Sequence, residues 1–460
     1  MMRINNLNKC TKVIILSVLG FIITGVFLYP YGTFWDSARA FTHILMDGHA
    51  NVNNWLGWYY PLLWESLYKI TGIQNIIGTW INLIYWIGVT ILYLNIFNVE
   101  KRSLWWYAAF AWFPGSLMFI VNITNNALML AMLILGLAFL SIYTNKRKWW
   151  WLILSIVTII QCAFIRRESF VIVLPLVFII LLVVFLHNRK KLTAFMYAII
   201  TSIAIFIGVF GAERSITSGI HNYDYMDALS ITCLHDMTAV TYQTNRMCIP
   251  THILKPEYSD GKECFEHLMA MTNGRDSVWN GDVMIHRIKP FINLEDRYML
   301  RLPKSEVISF YSHNLVPWLK FRTQYALNYF WYREQMCYTT VQDNDMIMYS
   351  PPSPTIIQRV ISYVVPIALG SVQIFYYLSL IVLLFDWKKV IRYKCVKERI
   401  VIYSLIGVSF IETILVVFTS IAIQYRYLYP VCVIQYLVFV YILSKLKYKE
   451  IGESLASISE

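Results

Sequence analysis

The chain has 460 residues and a net charge of +12, with 58% hydrophobic and only 14% charged residues, and its mean hydropathy is +0.52. So few charges cannot clothe a soluble globule of this length, which excludes a purely water-soluble protein and makes lipid part of the solvent. The basic residues are dispersed over connecting segments and not gathered on one face, so the positive balance does not indicate a nucleic-acid partner.

Apolar runs of about 17 to 25 residues, each able to cross roughly 30 Å of hydrocarbon as a helix, recur along the chain. Spans are predicted at 13–30, 76–98, 104–121, 126–143, 149–165, 169–187, 193–212, 362–385, 400–422 and 428–444. The third and fourth are parted by Asn122, Thr124, Asn125 and Asn126, and the fifth and sixth by Arg166, Arg167 and Glu168. The fold class expected is all-α: a polytopic membrane protein of about ten transmembrane helices with a mixed extracytoplasmic loop domain.

Basic residues near the ends of spans favour the cytoplasm, so alternate connections can be compared. One set carries Arg3, Lys9 and Lys12; Lys101 and Arg102; Lys146, Arg147 and Lys148; Arg189, Lys190 and Lys191; the cluster from Lys388 to Arg399; and Lys445, Lys447 and Lys449. Both termini are therefore expected in the cytoplasm and the chain in a cell membrane that it crosses many times. The first span reads as a retained signal-anchor, because it lacks a small-residue cleavage site and runs into Tyr29, Pro30 and Tyr31. Trp105, Trp106, Trp149, Trp150 and Trp151 fall at the predicted cytoplasmic interface, where an amphipathic ring is favoured.

Residues 1–212 are thus expected to form an N-terminal module of seven spans with a first outer loop over 31–75, residues 213–355 the extracytoplasmic loop domain, and residues 356–460 a C-terminal module of three spans. The loop domain has the mixture of aromatic, charged, Pro and Gly residues of a globule rather than a linker. Cys233, Cys248, Cys264 and Cys337 lie in it, on the side of the membrane where disulfides persist; any pairing among them, or buried free thiols, fits the sequence.

The first outer loop opens Tyr29-Pro30-Tyr31-Gly32-Thr33-Phe34-Trp35-Asp36-Ser37-Ala38-Arg39, which sets Asp36 a few residues beyond the membrane surface. A carboxylate there can take a proton from an acceptor hydroxyl or amine, or can hold a divalent metal against a phosphate. It can equally cap the helical run from Ser37 to Leu45. Arg39, His43, Asp47 and Glu65 are further candidates for substrate contact or support, and the aromatic stretch from Trp58 to Trp64 suits a helix lying along the interface. His43 and His49 are spaced for no single helical face, so neither a metal nor its ligands can be assigned. Arg166 and Arg167 interrupt apolar sequence at an outer end, against the basic-inside trend, and a planar guanidinium matches phosphate oxygens. Pairing with Glu168 or snorkelling is the plainer account. Glu412, inside the ninth span, suits cation coupling if ionised and a hydrogen bond between helices if neutral.

Gln424-Tyr425-Arg426-Tyr427-Leu428-Tyr429-Pro430 sets one more outer arginine at the start of the last span. This Arg-Tyr-x-x-Pro segment, the acid just after the first span and the many-helix body together resemble the GT-C superfamily of membrane glycosyltransferases. The likeness is to the architecture of protein O-mannosyltransferases and lipid A aminoarabinose transferases; it covers most of the chain, with specificity confined to these short motifs. It implies inverting transfer of a sugar from a polyprenyl phosphate or pyrophosphate donor to an extracytoplasmic acceptor, whether a cell-envelope glycan, a lipid or a protein. The resemblance gives Asp36 the role of catalytic base and Arg426, with Arg166 and Arg167, that of binding donor phosphate; Tyr425 and Tyr427 flank that arginine as support. Many relatives carry a paired acidic motif where Trp35 and Ser37 flank Asp36 here, and their large domain is more often C-terminal.

Two other classes compete: an O-antigen or capsule polymerase or ligase, and a transporter or flippase. The leading outer-face signal is an acid in the first loop, not arginines and histidines in the large one, and no inverted repeat or matched pair of Gly/Pro-broken spans marks a carrier. The partners expected are a polyprenyl-linked sugar donor, membrane lipids and an extracytoplasmic acceptor.

Overall fold

Long runs of Leu, Ile, Val and Phe, free of repeated Gly and Pro, satisfy their own backbone as helices, the one open-ended structure that needs no partner in lipid. The computed structural model describes residues 8–27, 32–33, 35–50, 52–53, 57–97, 103–113, 116–117, 120, 122–166, 169–188, 191–220, 223–224, 228–270, 288–293 and 301–331, and part of 406–444. The chain divides into a first unit of Met1–Asp224, Gln335–Glu412 and Tyr429–Glu460, and a second of Tyr225–Glu334 and Thr413–Leu428.

The first unit contains α1 (Lys9–Phe27), β1 (Gly32–Thr33), α2 (Trp35–Asp47), β2 (Val52–Asn53), α3 (Tyr59–Thr71), α4 (Ile76–Ile96), α5 (Trp105–Ala111), β3 (Asn122–Ile123), α6 (Asn125–Lys146), α7 (Trp149–Ile165), α8 (Phe170–Asn188), α9 (Lys191–Ser218) and β4 (Tyr223–Asp224). Among the described residues α1, α4, α6 and α9 are long and apolar enough to cross a membrane, and α7 and the apolar part of α8 are shorter apolar helices. Their surroundings differ sharply: 89% of the apolar window of α6 is buried inside the protein, against 17% of that of α9. Small residues let α6 approach its neighbours closely. A Cβ on Gly88 of α4 would lie 3.0 Å from the Leu135 nitrogen, and Ser155 of α7 donates to the Gly136 carbonyl at 2.7 Å. Polar side chains tie α1 to α4 and α5: Thr90 donates to Ser17 at 2.6 Å, Ser17 shares a hydrogen bond with Tyr107, and Thr24 donates to Asn82 at 2.9 Å.

These contacts fix helix directions. Ser17 meets Thr90 while Thr24 meets Asn82, so α1 and α4 are antiparallel. Gly88 faces Leu135 while Asn145 donates to the Asn95 side chain at 3.0 Å, so α4 and α6 run the same way, with α5 between them in sequence. Ser155 meets Gly136 while the Cys162 thiol meets the Met129 carbonyl, so α7 runs back. At one end of this bundle lie Asn95, Phe97 and Asn145, with Tyr441 of the helical stretch 433–441 at 5.5 Å from Phe97, ring to ring. At the other end the connections knit together: β1 pairs in parallel with β3, Gly32 opposite Asn122, and β2 pairs in parallel with β4, Val52 opposite Tyr223.

The second unit contains α10 (Ala228–Thr244), α11 (Lys262–Ala270), α12 (Lys304–His313) and α13 (Leu315–Trp331). Short 3-10 turns at Thr251–Ile253, Pro256–Tyr258 and Lys289–Phe291 flank one antiparallel bridge between Leu254 and Ile292.

Three expectations change. The mixed loop domain expected over 213–355 is, among its described residues, mainly helical, with extended pairing confined to β4 and that bridge. The boundary at 212/213 falls inside α9, which runs on through Glu213 and Arg214 to Ser218, both good helix formers. In the expected span 104–121 the helix α5 stops at Ala111, ahead of Pro114, which lacks an N–H and disfavours helical backbone before it. The Tyr85 hydroxyl donates to the Ala111 carbonyl freed by this ending, at 3.0 Å. The expected span 362–385 lies outside the described residues, and 400–422 and 428–444 are described only in part.

Candidate functional site

α2 begins at Trp35, so Asp36 lies within its first turn and not ahead of it as a cap. A carboxylate in that turn suits the positive end of the helix dipole. For Asp36 and Arg39 only the backbone position is described. The β1–β3 pairing sets Thr33 opposite Ile123, just before Asp36 on one side and just before Asn126 on the other. The pairing is followed at once by α6, whose cap Thr124 accepts from the Ala127 N–H at 3.0 Å. Asn126, buried, then accepts a 2.5 Å hydrogen bond from Nη1 of Arg166, which closes α7 by donating its own N–H to the Cys162 carbonyl. The polar break that parts two predicted spans is therefore the group that receives the arginine parting the next two.

The rest of the first loop folds on the same end. Gly57, at φ +71°, presses against the last carbonyls of α7: a Cβ there would lie 2.5 Å from the Phe164 and Ile165 oxygens. Trp58 packs on Phe164 with ring centroids 5.0 Å apart. One face of the aromatic stretch forms the core of the loop. Tyr60 and Trp64 recur at helical spacing on the buried face of α3, Phe41 of α2 stacks on Trp64 at 4.7 Å, and the Trp64 indole donates to the Gln74 carbonyl at 2.7 Å.

The other loop candidates are engaged in holding this shape. His43 and Asp47 meet at 3.0 Å along the exposed side of α2. Glu65 accepts from Lys69 at 2.5 Å and from the Ala50 N–H at 2.8 Å, with His49 at 3.5 Å. Burial pushes the Glu65 carboxyl up, but the Lys69 and Ala50 hydrogen bonds, the Lys69 charge and His49 outweigh it and hold the group below its ordinary value. Among the described residues no three His, Cys, Asp or Glu side chains gather as a metal-holding group. Arg167, Glu168, Glu412, Tyr425, Arg426 and Tyr427 lie outside the described residues.

Sequence reasoning missed the buried polar centre of the second unit. Asp236 of α10 and Arg322 of α13, 0% and 1% exposed, form an ion pair of 2.7 Å. The other Asp236 oxygen accepts from the Tyr311 hydroxyl at 3.0 Å and from the Trp318 indole at 2.9 Å. The Tyr325 ring lies 5.3 Å from the guanidinium carbon. Burial pushes the Asp236 carboxyl up, and Arg322, Trp318 and Tyr311 restrain that rise. An arginine that cannot deprotonate faces the carboxylate at 2.7 Å and favours its ionised form. Asp236 is the one charged residue in the sequence of α10, a signal that a partner existed; nothing in the sequence chose Arg322 from the other basic residues. Nearby, burial and then the Asp236 charge push the Cys233 thiol up to about 12, which disfavours the thiolate. Cys233, Cys248 and Cys264 are free thiols, and Cys337 lies outside the described residues.

No protein family matches this chain, and neither does any curated protein or solved structure, so its chemistry has to be read from these residues.

Proposed function

We propose that the protein is a multi-pass membrane glycosyltransferase, with both termini in the cytoplasm, that moves a sugar from a polyprenyl-linked phosphate donor to an extracytoplasmic acceptor. One observation carries the reading: the β1–β3 pairing and the Arg166–Asn126 hydrogen bond bring the Asp36-bearing turn and an arginine to the same end of one helical bundle. An acid and a guanidinium at one membrane surface are what transfer from a lipid phosphate requires. The alternating helix directions in the first unit support the predicted topology, because the ends that gather around β1–β3 are those the basic-residue pattern assigns to the outside.

In this scheme the Asp36 carboxylate takes the proton from the acceptor O–H or N–H as that atom attacks the anomeric carbon. The bond from that carbon to the phosphate oxygen breaks, and the anionic lipid phosphate leaves toward Arg166, Arg167 and Arg426. Attack opposite the leaving group inverts the anomeric centre.

The test is Asp36→Asn in proteoliposomes supplied with polyprenyl phosphate sugars. A positioned general base contributes about 10² to 10⁴ in rate, so the variant should transfer almost nothing while inserting normally. Transfer at the wild-type rate would sink the reading, since a purely structural carboxylate would lose only a helix-dipole interaction of about 0.3–1 kcal/mol and leave the reaction untouched. Activity that survives a chelator separates the proton-accepting role from a metal-holding one.

A further inference from the structure

The second unit turns one face of α13 inward and leaves an aliphatic strip beside it uncovered. Phe321, Arg322 and Tyr325 are buried toward α10. Leu315, Val316, Leu319 and Leu327 are 50%, 76%, 42% and 56% exposed, and helical spacing arranges them as a strip beginning beside Arg322 and running away from the buried face, with exposed Lys320 and Gln324 beyond it. Ile308 of α12 is 68% exposed as well. Aliphatic side chains grouped this way mark an interaction surface. Trp318 of α13 meets Phe418 with ring centroids 6.0 Å apart, and Phe418 belongs to the outer half of the predicted ninth span. Ile414 and Phe418, one helical turn apart on that span, are themselves 43% and 42% exposed. A helix seated beside the outer end of an apolar span lies at headgroup depth. Exposed Lys320, between Leu319 and the buried Phe321, suits the phosphate layer there.

We infer that the outer membrane leaflet is the partner of this face: α13 rests on the bilayer as an interfacial helix, with Leu315, Val316 and Leu319 in the acyl boundary and Arg322 turned into the domain. The inference rests on the membrane-spanning reading of the ninth apolar segment and adds to it a second, non-spanning contact with lipid, made by the loop domain itself. The domain is then fastened to the membrane by its own surface as well as by the chain at its two ends.

The full-length protein in phosphatidylcholine–phosphatidylglycerol nanodiscs tests this with a photoreactive benzoylphenylalanine introduced at one position at a time: Val316, Leu319, Ile200 of α9 as a bilayer control, and exposed Lys262 of α11 as an aqueous control. Irradiation followed by mass spectrometry should give phospholipid adducts at 316, 319 and 200 and none at 262. Lipid adducts at 200 with none at 316 and 319 would overturn the docking of α13 while leaving the spans intact. Adducts from 316 to a second copy of the chain would overturn it in favour of an interface between protomers. The absence of lipid adducts at 200 too would overturn the membrane reading itself.

Discussion

Removing the Asp236 carboxylate isolates the Arg322 charge in the interior of the second unit, and its cost can be worked from the geometry. In Asp236→Ala the guanidinium, 1% exposed, loses an anion at 2.7 Å, and the Tyr311 hydroxyl and Trp318 indole lose their acceptor. Breaking a buried pair from one side costs about 3–5 kcal/mol, against a stability of about 5–15 kcal/mol for a whole domain. Since about 1.4 kcal/mol is tenfold, amide exchange in α10, α12 and α13 should quicken roughly a hundred- to several-thousand-fold. Exchange in α4 and α6, which lie in the first unit, should not change. Tyr311→Phe removes one hydrogen bond to the carboxylate and should cost only about 1.5–3 kcal/mol. The double variant Asp236→Leu with Arg322→Met removes both charges and should recover most of the loss, because an apolar pair of similar volume often matches a buried ion pair. If Asp236→Ala exchanged as slowly as the wild type, or if the double variant were as loose as the single one, the ion pair would not be the fastener of this unit.

Three further outcomes follow from the first unit. Arg166→Lys keeps the charge but loses the planar fork, so the donor KM should rise by about ten- to a hundredfold, the worth of one or two hydrogen bonds to a charged group, while insertion is unchanged. Gly57→Ala should lower the thermal midpoint well beyond Gly48→Ala: both residues sit at φ +71°, costing a side chain about 1–2 kcal/mol, but only at Gly57 would the new Cβ meet backbone oxygens. Because Glu65 is held below its ordinary value of about 4.3, its contacts stabilise the loop fully above that pH and are lost as pH falls through the lower folded value. Amide exchange over 50–71 should therefore quicken on acidification below about pH 4, and Glu65→Gln should flatten that dependence.

The helical body was legible because its signal is long and one-dimensional. The runs that became α4, α6 and α7 are bounded by polar breaks, and the observed helices Ile76–Ile96, Asn125–Lys146 and Trp149–Ile165 lie close to the predicted spans. The first loop was legible as helix but not as packing. Its aromatics read as membrane anchors, because sequence carries the period of α3 but not the identity of what that face meets, which is Phe41 of α2. The two short strand pairings were invisible for a related reason: two residues are too few to show a period, and each pairing joins segments some ninety or more residues apart. Arg166 was noticed because it breaks the charge rule, yet its acceptor Asn126 was seen only as part of a loop.

The hardest element to read was α13, and the difficulty is physical. Its sequence mixes aromatic, aliphatic and polar residues with no clean apolar stripe, and the charged Arg322 points inward while several aliphatics are exposed. In water this arrangement is wrong twice over. Burying a guanidinium carries a desolvation cost, and leaving Leu315, Val316, Leu319 and Leu327 42% to 76% uncovered forgoes a large share of the roughly 1.5–3 kcal/mol that burying each would return. Asp236 removes the first objection, since it lies 2.7 Å from the guanidinium with its other oxygen held by Tyr311 and Trp318. The second stands as long as the surrounding medium is water, and it vanishes if the medium is hydrocarbon. The same Trp318 that orients Asp236 also touches Phe418, so one side chain ties the buried charge to the segment predicted to cross the bilayer. An ordinary soluble helix puts aliphatics inside and charge outside; α13 buries Arg322 and exposes an aliphatic strip, an arrangement that lipid on one side and a carboxylate on the other would stabilise.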